Sequence, residues 1–216
     1  MEIINSKLIG TGACIPDFVL TNAMLEKMVD TNDEWIVQRT GVRERRIAKN
    51  THTWELALGA AQDALADAGI TAEELDLILV STCSPDTNTP NTASILQDKL
   101  GARQVGAFDI NNACTGFVSA TDIADSYIKS GKAKTVLVVS AETLSRIVDY
   151  TDARPAFCSA TVPLRPFIRR LRTKRSAFCP LSPRQTVRAQ STCTWKPCRS
   201  RIRFPVTARW TRRRVS

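Results

Sequence analysis

Residues 108–117 read FDINNACTGF, with Cys114 between an apolar run and a glycine-bearing run of helical spacing. The thiolate is the reactive form of cysteine, and a helix N-terminus favours it. Unpaired backbone N–H groups and the partial positive charge there lower a thiol pKa of ~8.5 by one to several units. A thiolate so placed attacks an activated carbonyl, and neighbouring N–H groups can hold the resulting oxyanion. The competing reading is a packed structural cysteine, because free cysteine behaves as a small hydrophobe. Position alone leaves both open. Trp35 and Arg39, one helical turn apart in DEWIVQRTG, form a second pair. By residue type they read as a core tryptophan and a solvated arginine. The single histidine, His52, lies in the loop-like KNTHTW stretch and reads as a surface or capping residue. Cys193 and Cys198 have four residues between them and no second pair at metal spacing, so no zinc or other metal site is expected.

The elements that must position Cys114 follow from periodicity. Ser6–Ala13 is a strand, and Thr21 or Asn22 caps a short helix through Met28. Asn32 or Asp33 caps a helix at DEWIVQRTG. From Trp54 to Ala68, apolar residues recur at helical spacing and Gly69 ends the run. LDLILVST (75–82), VGAFDI (105–110) and TVLVVSAE (135–142) are buried strands, separated by helices at 92–100 and 116–130. This β-α-β-α-β order implies a parallel sheet with helices on both faces. In such sheets functional residues gather at the carboxyl ends of strands, and Cys114 follows one by four residues.

Composition changes near residue 152. The 64 residues of 153–216 hold 17 of the 30 Lys and Arg, seven of the ten prolines and no Asp or Glu. Residues 1–152 hold all 21 acidic residues and all nine glycines, for a net charge of −8. The overall +9 is therefore the property of one segment. Seven cysteines at irregular spacing argue against a disulfide framework and suit a reducing cytoplasm. The N-terminus lacks the pattern of a secretory signal, and no apolar run approaches the ~20 residues that span a bilayer.

Three stretches, TNAMLEKMVDTNDEWIVQRTGVRERRIA (21–48), FDINNACTGF and SGKAKTVLVVSAETLSRIVDYTD (130–152), together resemble β-ketoacyl-ACP synthase III. The resemblance covers almost all of 1–152 and implies the N-terminal half of a thiolase-like fold. It implies that Cys114 takes an acyl group from acyl-CoA and that the acyl-enzyme condenses with malonyl-ACP as carbon dioxide leaves. It further implies that Trp35 stacks on the CoA adenine and Arg39 faces the CoA nucleotide. It implies, too, that no cofactor is bound covalently and that the CoA thioester is a substrate. Intact relatives are homodimers. Thr89 stands where many relatives carry a phenylalanine that limits the acyl pocket, so the acyl chain length is left open.

The family's catalytic set is Cys-His-Asn, and its His and Asn belong to the second half. Here His52 corresponds to no family motif and Asn112 is the last asparagine. After Asp152 the chain reads ARPAFCSATVP, where the family runs into a glycine-rich VLFGDGA. GC-rich codons for the observed residues, shifted by one inserted nucleotide after Asp152, read D-R-P-A-C-V-L-F-G-D-G-A. Residues 153–216 are accordingly expected to be an out-of-frame, irregular tail and the chain inactive in condensation. A neighbouring reading keeps the thiolase fold with a polyketide-like or quinolone-forming substrate. A reading of another class is a basic nucleic-acid-binding protein with a vestigial enzyme domain, using clusters such as IRRLRTKR (168–175) with Trp195 and Trp210. The shifted frame explains the basic tail without a nucleic-acid partner.

Overall fold

The computed structural model describes residues 6–103 and 105–150, with the backbone of 163–169. By contact the chain divides into residues 1–176 and 177–216, and every described residue belongs to the first unit. The expected tail features at Cys193, Cys198, Trp195 and Trp210, and most of the 168–175 cluster, lie outside the described residues.

The central sheet is built around the two most apolar runs. Strands β4 (Leu77–Ser81) and β6 (Val136–Ala141) are buried along their whole length. They pair in parallel with Leu77 opposite Val136, and β5 (Gly106–Ile110) pairs in parallel on the other side of β4. Fully buried parallel strands need cover on both faces. One face packs on α3 (Thr53–Ala68) and α4 (Thr92–Leu100) through Ile78, Val80, Leu137 and Val139. The other packs on α5 (Gly116–Lys129) through Leu77, Leu79, Val136 and Val138. The alternation of odd and even residues along β4 therefore assigns its side chains to α5 or to α3 and α4. The expected parallel core with helices on both faces is present.

Two features go beyond the sequence reading. β1 (Leu8–Thr11) is an antiparallel edge, paired to β7 (Pro163–Arg169), which in turn pairs antiparallel to β6. The sheet order is β1-β7-β6-β4-β5. The expectation of an irregular tail after residue 152 thus fails for residues 163–169. Strand pairing joins backbone N–H and C=O groups, which every non-proline residue carries, so a segment without alternating polarity can still fill a gap in a sheet. A second sheet, β2 (Val19–Thr21) with β3 (Glu44–Arg46), was not visible as strands because each is only three residues long.

Gly10 explains how β1 meets α3. A Cβ there would lie 2.7 Å from the backbone nitrogen of Ala68, so only glycine allows this approach. Carboxylates of α3 complete the contact: Thr11 N–H donates to Asp67 Oδ2 at 2.7 Å and Ala13 N–H to Asp63 Oδ2 at 3.0 Å.

Asp76 anchors the other end of the sheet. Its Oδ2 accepts the Lys134 and Thr135 N–H groups at 2.8 and 3.0 Å, and its Oδ1 accepts Arg103 Nη2 at 2.9 Å. Burial alone would raise this carboxyl, but the two N–H groups and the guanidinium outweigh it and hold it below the usual range. A depressed carboxyl stabilises the fold above its unfolded-state pKa of ~3.9, and that contribution disappears as pH falls through the lower folded value. Asp76→Ala is expected to cost about 1–3 kcal/mol at pH 7, the scale of orphaned donors. In urea titrations the gap between variant and parent should narrow as pH falls below the ordinary carboxylate range.

Candidate functional site

The carboxyl ends of β4, β5 and β6 lie side by side on one edge of the sheet, since the strands are parallel and in register. Cys114 stands in a 3₁₀ turn, Ala113–Thr115, between β5 and α5. Its side chain is exposed, which removes the packed-cysteine alternative. The turn is tightly determined. Ala113 has φ +43°, a left-handed conformation that non-glycine residues adopt at a cost of roughly 1–3 kcal/mol and that concentrates at functional sites. Thr115 N–H and Oγ1 both donate to the Asn112 carbonyl, at 3.1 and 3.0 Å. Asn112 Nδ2 donates to Ser119 Oγ at 2.8 Å, tying the turn to the first residues of α5. Gly116 then brings α5 directly over Ser81 at the end of β4, where any Cβ would collide with Ser81 Oγ.

β4 continues past Ser81 into Thr82, Cys83 and Ser84, and β6 ends in Ala141 followed by Glu142 and Thr143. Glu142 ties these segments together. Its Oε1 accepts the Cys83 N–H at 2.8 Å and its Oε2 accepts the Ser84 hydroxyl. Ser84 Oγ accepts the Thr143 N–H at 2.8 Å, and Thr53 Oγ1 donates to the Ser84 carbonyl at 2.7 Å. Cys83 is half-buried here. Burial, the adjacent Glu142 carboxylate and, last, the nearby Cys114 push its thiol up to about 11. The two cysteines therefore differ: Cys83 is held as a thiol, while Cys114 faces solvent. Cys83 and Glu142 were missed in the sequence because each merely follows an apolar strand. Their meeting depends on two strands far apart in sequence.

Beside this network, Asp86 accepts the Trp54 N–H at 3.0 Å and Arg146 Nη1 at 2.6 Å, and lies 3.0 Å from His52 Nδ1. Burial would raise Asp86, but these donors outweigh it and hold the carboxyl below its usual range. His52 is the N-cap residue of α3, with its N–H donating to Glu55 Oε2 at 2.7 Å. The capping role expected from sequence is the one it occupies.

Trp35 and Arg39 stand together on α2 (Asp33–Thr40), with the guanidinium carbon 5.3 Å from the tryptophan ring centroid. Trp35 is 38% exposed, so it is not a core residue. α2 is placed by a small cluster separate from the sheet core, in which Ile36 packs with Leu20, Leu25 and Val29. A buried polar junction reinforces it: Asn22 Nδ2 donates to Asp33 Oδ1 at 2.6 Å, and the fully buried Arg45 donates to Asn22 Oδ1 at 2.6 Å. Asn32 is the residue that caps α2, its Oδ1 accepting the Trp35 N–H at 2.8 Å. The two expected CoA-contacting residues are thus brought to each other, on an element distinct from the one that carries Cys114.

Among the described residues, no three His, Cys, Asp or Glu side chains gather as a metal site, and no helix is long and apolar enough to cross a membrane.

Residues 108–160, which include Cys114, match the family described as 3-oxoacyl-[acyl-carrier-protein] synthase III. A β-ketoacyl-[acyl-carrier-protein] synthase III of Aquifex aeolicus is 54% identical over 149 residues, 69% of this chain and 48% of that protein. One of Xanthomonas campestris is 55% identical over 150 residues, 69% and 46% of the two chains. The crystal structure of the Aquifex aeolicus 3-oxoacyl-[acyl-carrier-protein] synthase III superposes with a TM-score of 0.76 at 48% identity, covering 78% of this chain and 55% of that one. The priming β-ketosynthase of the R1128 polyketide pathway superposes with a TM-score of 0.75 at 32% identity, covering 78% and 51%. The chain spans about half the length of the curated relatives it matches. In motif, fold and extended identity alike, this chain belongs to the 3-oxoacyl-ACP synthase III family.

Proposed function

We propose that Cys114 is the acyl-accepting nucleophile of a condensing enzyme that initiates fatty-acid synthesis. The observation that carries the reading is the exposed sulfur in a strained turn at the carboxyl edge of a parallel sheet, directly ahead of α5. In the first half-reaction the Cys114 thiolate attacks the thioester carbonyl of acyl-CoA. A new carbon–sulfur bond forms and the CoA thiolate leaves and takes a proton. In the second half-reaction, which belongs to the intact enzyme, malonyl-ACP loses carbon dioxide, its carbanion attacks the acyl carbonyl, and the carbon–sulfur bond breaks, releasing 3-oxoacyl-ACP and the cysteine thiolate. The substrates are acyl-CoA and malonyl-ACP, no cofactor is held covalently, and the working assembly is a cytoplasmic homodimer. Incubation with radiolabelled acetyl-CoA followed by peptide mapping tests the first half-reaction. Label on Cys114 supports the reading, and label elsewhere or nowhere refutes it.

In this proposal Trp35 offers an exposed π-face to the CoA adenine, and Arg39, already over that ring, meets the nucleotide phosphates. Trp35→Ala is expected to weaken acyl-CoA binding roughly tenfold, the scale of one lost stacking contact of 1–3 kcal/mol. Loading of Cys114 at saturating acyl-CoA should change little. A fall in the saturated rate with unchanged affinity would place Trp35 elsewhere in the mechanism.

In this proposal the residues of the N-terminal part support the acyl-accepting step. His52, its one histidine, is committed to the α3 N-terminus and Asp86, and no asparagine follows Asn112. We infer that residues 153–216 are translated from a shifted frame, so the chain loads acyl groups without condensing them. The coding DNA around codon 152 tests this: a neighbouring frame should encode VLFGDGA and the rest of a second half. A polyketide-type donor is the second reading, favoured by the 32% identity to the R1128 priming synthase and by Thr89. Competition among acyl-CoAs of different length for Cys114 separates the two.

A further inference from the structure

We propose that the slot between β1 and β6 is a binding site for an extended peptide strand, and that β7 is an exchangeable occupant of it. Each wall of the slot is held without β7. β6 is fixed by its parallel ladder to β4 and is apolar along Val136–Val139. With β7 withdrawn it offers a free edge of unpaired N–H and C=O groups. β1 is fixed by α3: Gly10 abuts Ala64 and Ala68, Asp67 accepts the Thr11 N–H at 2.7 Å, and Asp63 accepts the Ala13 N–H at 3.0 Å. The same helix forms the floor, lying against both β1 and β7.

β7 fills this slot poorly. Pro163 and Pro166 have no N–H, so two donors are missing from a seven-residue strand. Phe167 lies opposite Val138 and Leu164 opposite Ser140, so Arg165 and Pro166 together face Val139 and the ladder bulges. On the other side the ladder to β1 runs from Leu8 opposite Arg169 to Thr11 opposite Phe167, and it contains no residue of 163–166. A strand without proline keeps every donor and passes Val139 without a bulge, running antiparallel to β6 as β7 does. The occupant that fits better is therefore an extended, proline-free, apolar polypeptide segment, read through its backbone in the manner of strand addition. Positive charge on it is an advantage, because residues 1–152 carry a net −8. Exchange is a competition. A tethered strand acts at an effective concentration on the order of millimolar, so only a segment that pairs better than β7 displaces it. The inference does not involve Cys114 and stands apart from its acylation.

The probe is a fluorescein-labelled peptide of residues 161–171 carrying Pro163→Val and Pro166→Val, added to the full chain and followed by anisotropy. It should bind at least about tenfold more tightly than the peptide of unaltered sequence, the scale of two restored hydrogen bonds. N-methylation of its backbone nitrogens, with the charge kept, should abolish binding. With photoreactive benzoylphenylalanine in place of Phe167, the peptide should label tryptic fragments 8–27 and 135–146. These contain Thr11 and Val138, the residues opposite position 167. In the chain itself, Pro166→Val strengthens the resident strand and should weaken peptide binding several-fold. Ile168→Pro loosens β7 where it pairs on both sides, with Leu137 and Gly10, and should strengthen peptide binding at least about tenfold. Pro166→Val keeps the test decisive if Ile168→Pro fails to fold. Label on other fragments, binding that survives N-methylation, or equal affinity for parent and Pro166→Val overturns the inference. So does a parent chain that doubles in mass in size-exclusion chromatography and loses peptide binding as it is concentrated, which would make a second copy's strand the occupant.

Discussion

Cys114→Ala is expected to lose acyl loading altogether, with a rate at least about a thousandfold below the parent, the scale on which a covalent nucleophile is missed. The magnitude follows from the lack of a substitute among the described residues. Cys83 is the other thiol at this edge of the sheet, and its pKa is pushed up to about 11 by burial and by Glu142. At pH 8 only about one part in a thousand of such a thiol is ionised. Cys14 is also raised, by burial and by the carboxylates of Asp17 and Asp63. Neither can stand in for an exposed sulfur in the turn. The measurement is the mass of the intact protein after exposure to acetyl-CoA, with the modified peptide identified. Retention of acyl loading in Cys114→Ala, or its transfer to Cys83 at neutral pH, would remove Cys114 from the mechanism. Alanine in place of an exposed cysteine leaves the buried core untouched, so the thermal midpoint should barely move.

Gly116→Ala should damage both stability and loading. The added methyl lands on Ser81 Oγ, so either α5 lifts from the end of β4 or Ser81 leaves its position. Overpacking of this kind costs about 1–3 kcal/mol. For a domain of this size that lowers the melting temperature by roughly 2–4 °C per kcal/mol. The effect on loading should be larger in proportion, because the same helix end carries the Cys114 turn. A displacement near 1 Å costs on the order of a hundredfold in rate. The companion change Ser81→Ala removes the colliding oxygen and leaves the Ser81 Cβ, 3.3 Å from the new methyl. The double variant should therefore recover most of the loading and part of the stability. If Gly116→Ala alone melts and loads like the parent, the approach of α5 to β4 does not position Cys114.

Much of this arrangement was legible in the residues. Gly69 and Gly101 end α3 and α4 in left-handed conformations, and the helices start at the polar residues that precede their apolar faces. β4 and β6 are apolar throughout, which marks strands covered on both sides. These signals are local: capping, helix termination and burial period depend on neighbours within a few positions. The place of Cys114 was legible for the same reason, as it lies between a strand ending at Ile110 and a helix starting at Gly116.

What residue order left undetermined concerns pairs far apart in the chain. The choice between a packed and an exposed Cys114 was settled by the fold, which turns the sulfur outward from a left-handed Ala113. The convergence of Glu142 on Cys83 and Ser84 spans almost 60 positions and depends on β4 and β6 pairing in register. The insertion of β7 between β1 and β6 is a backbone event, which side-chain pattern does not report. Local chemistry selects helices, strands and the candidate nucleophile, because those choices are made by near neighbours. Which groups surround that residue, and so which thiol stays protonated and which meets solvent, is decided by long-range packing.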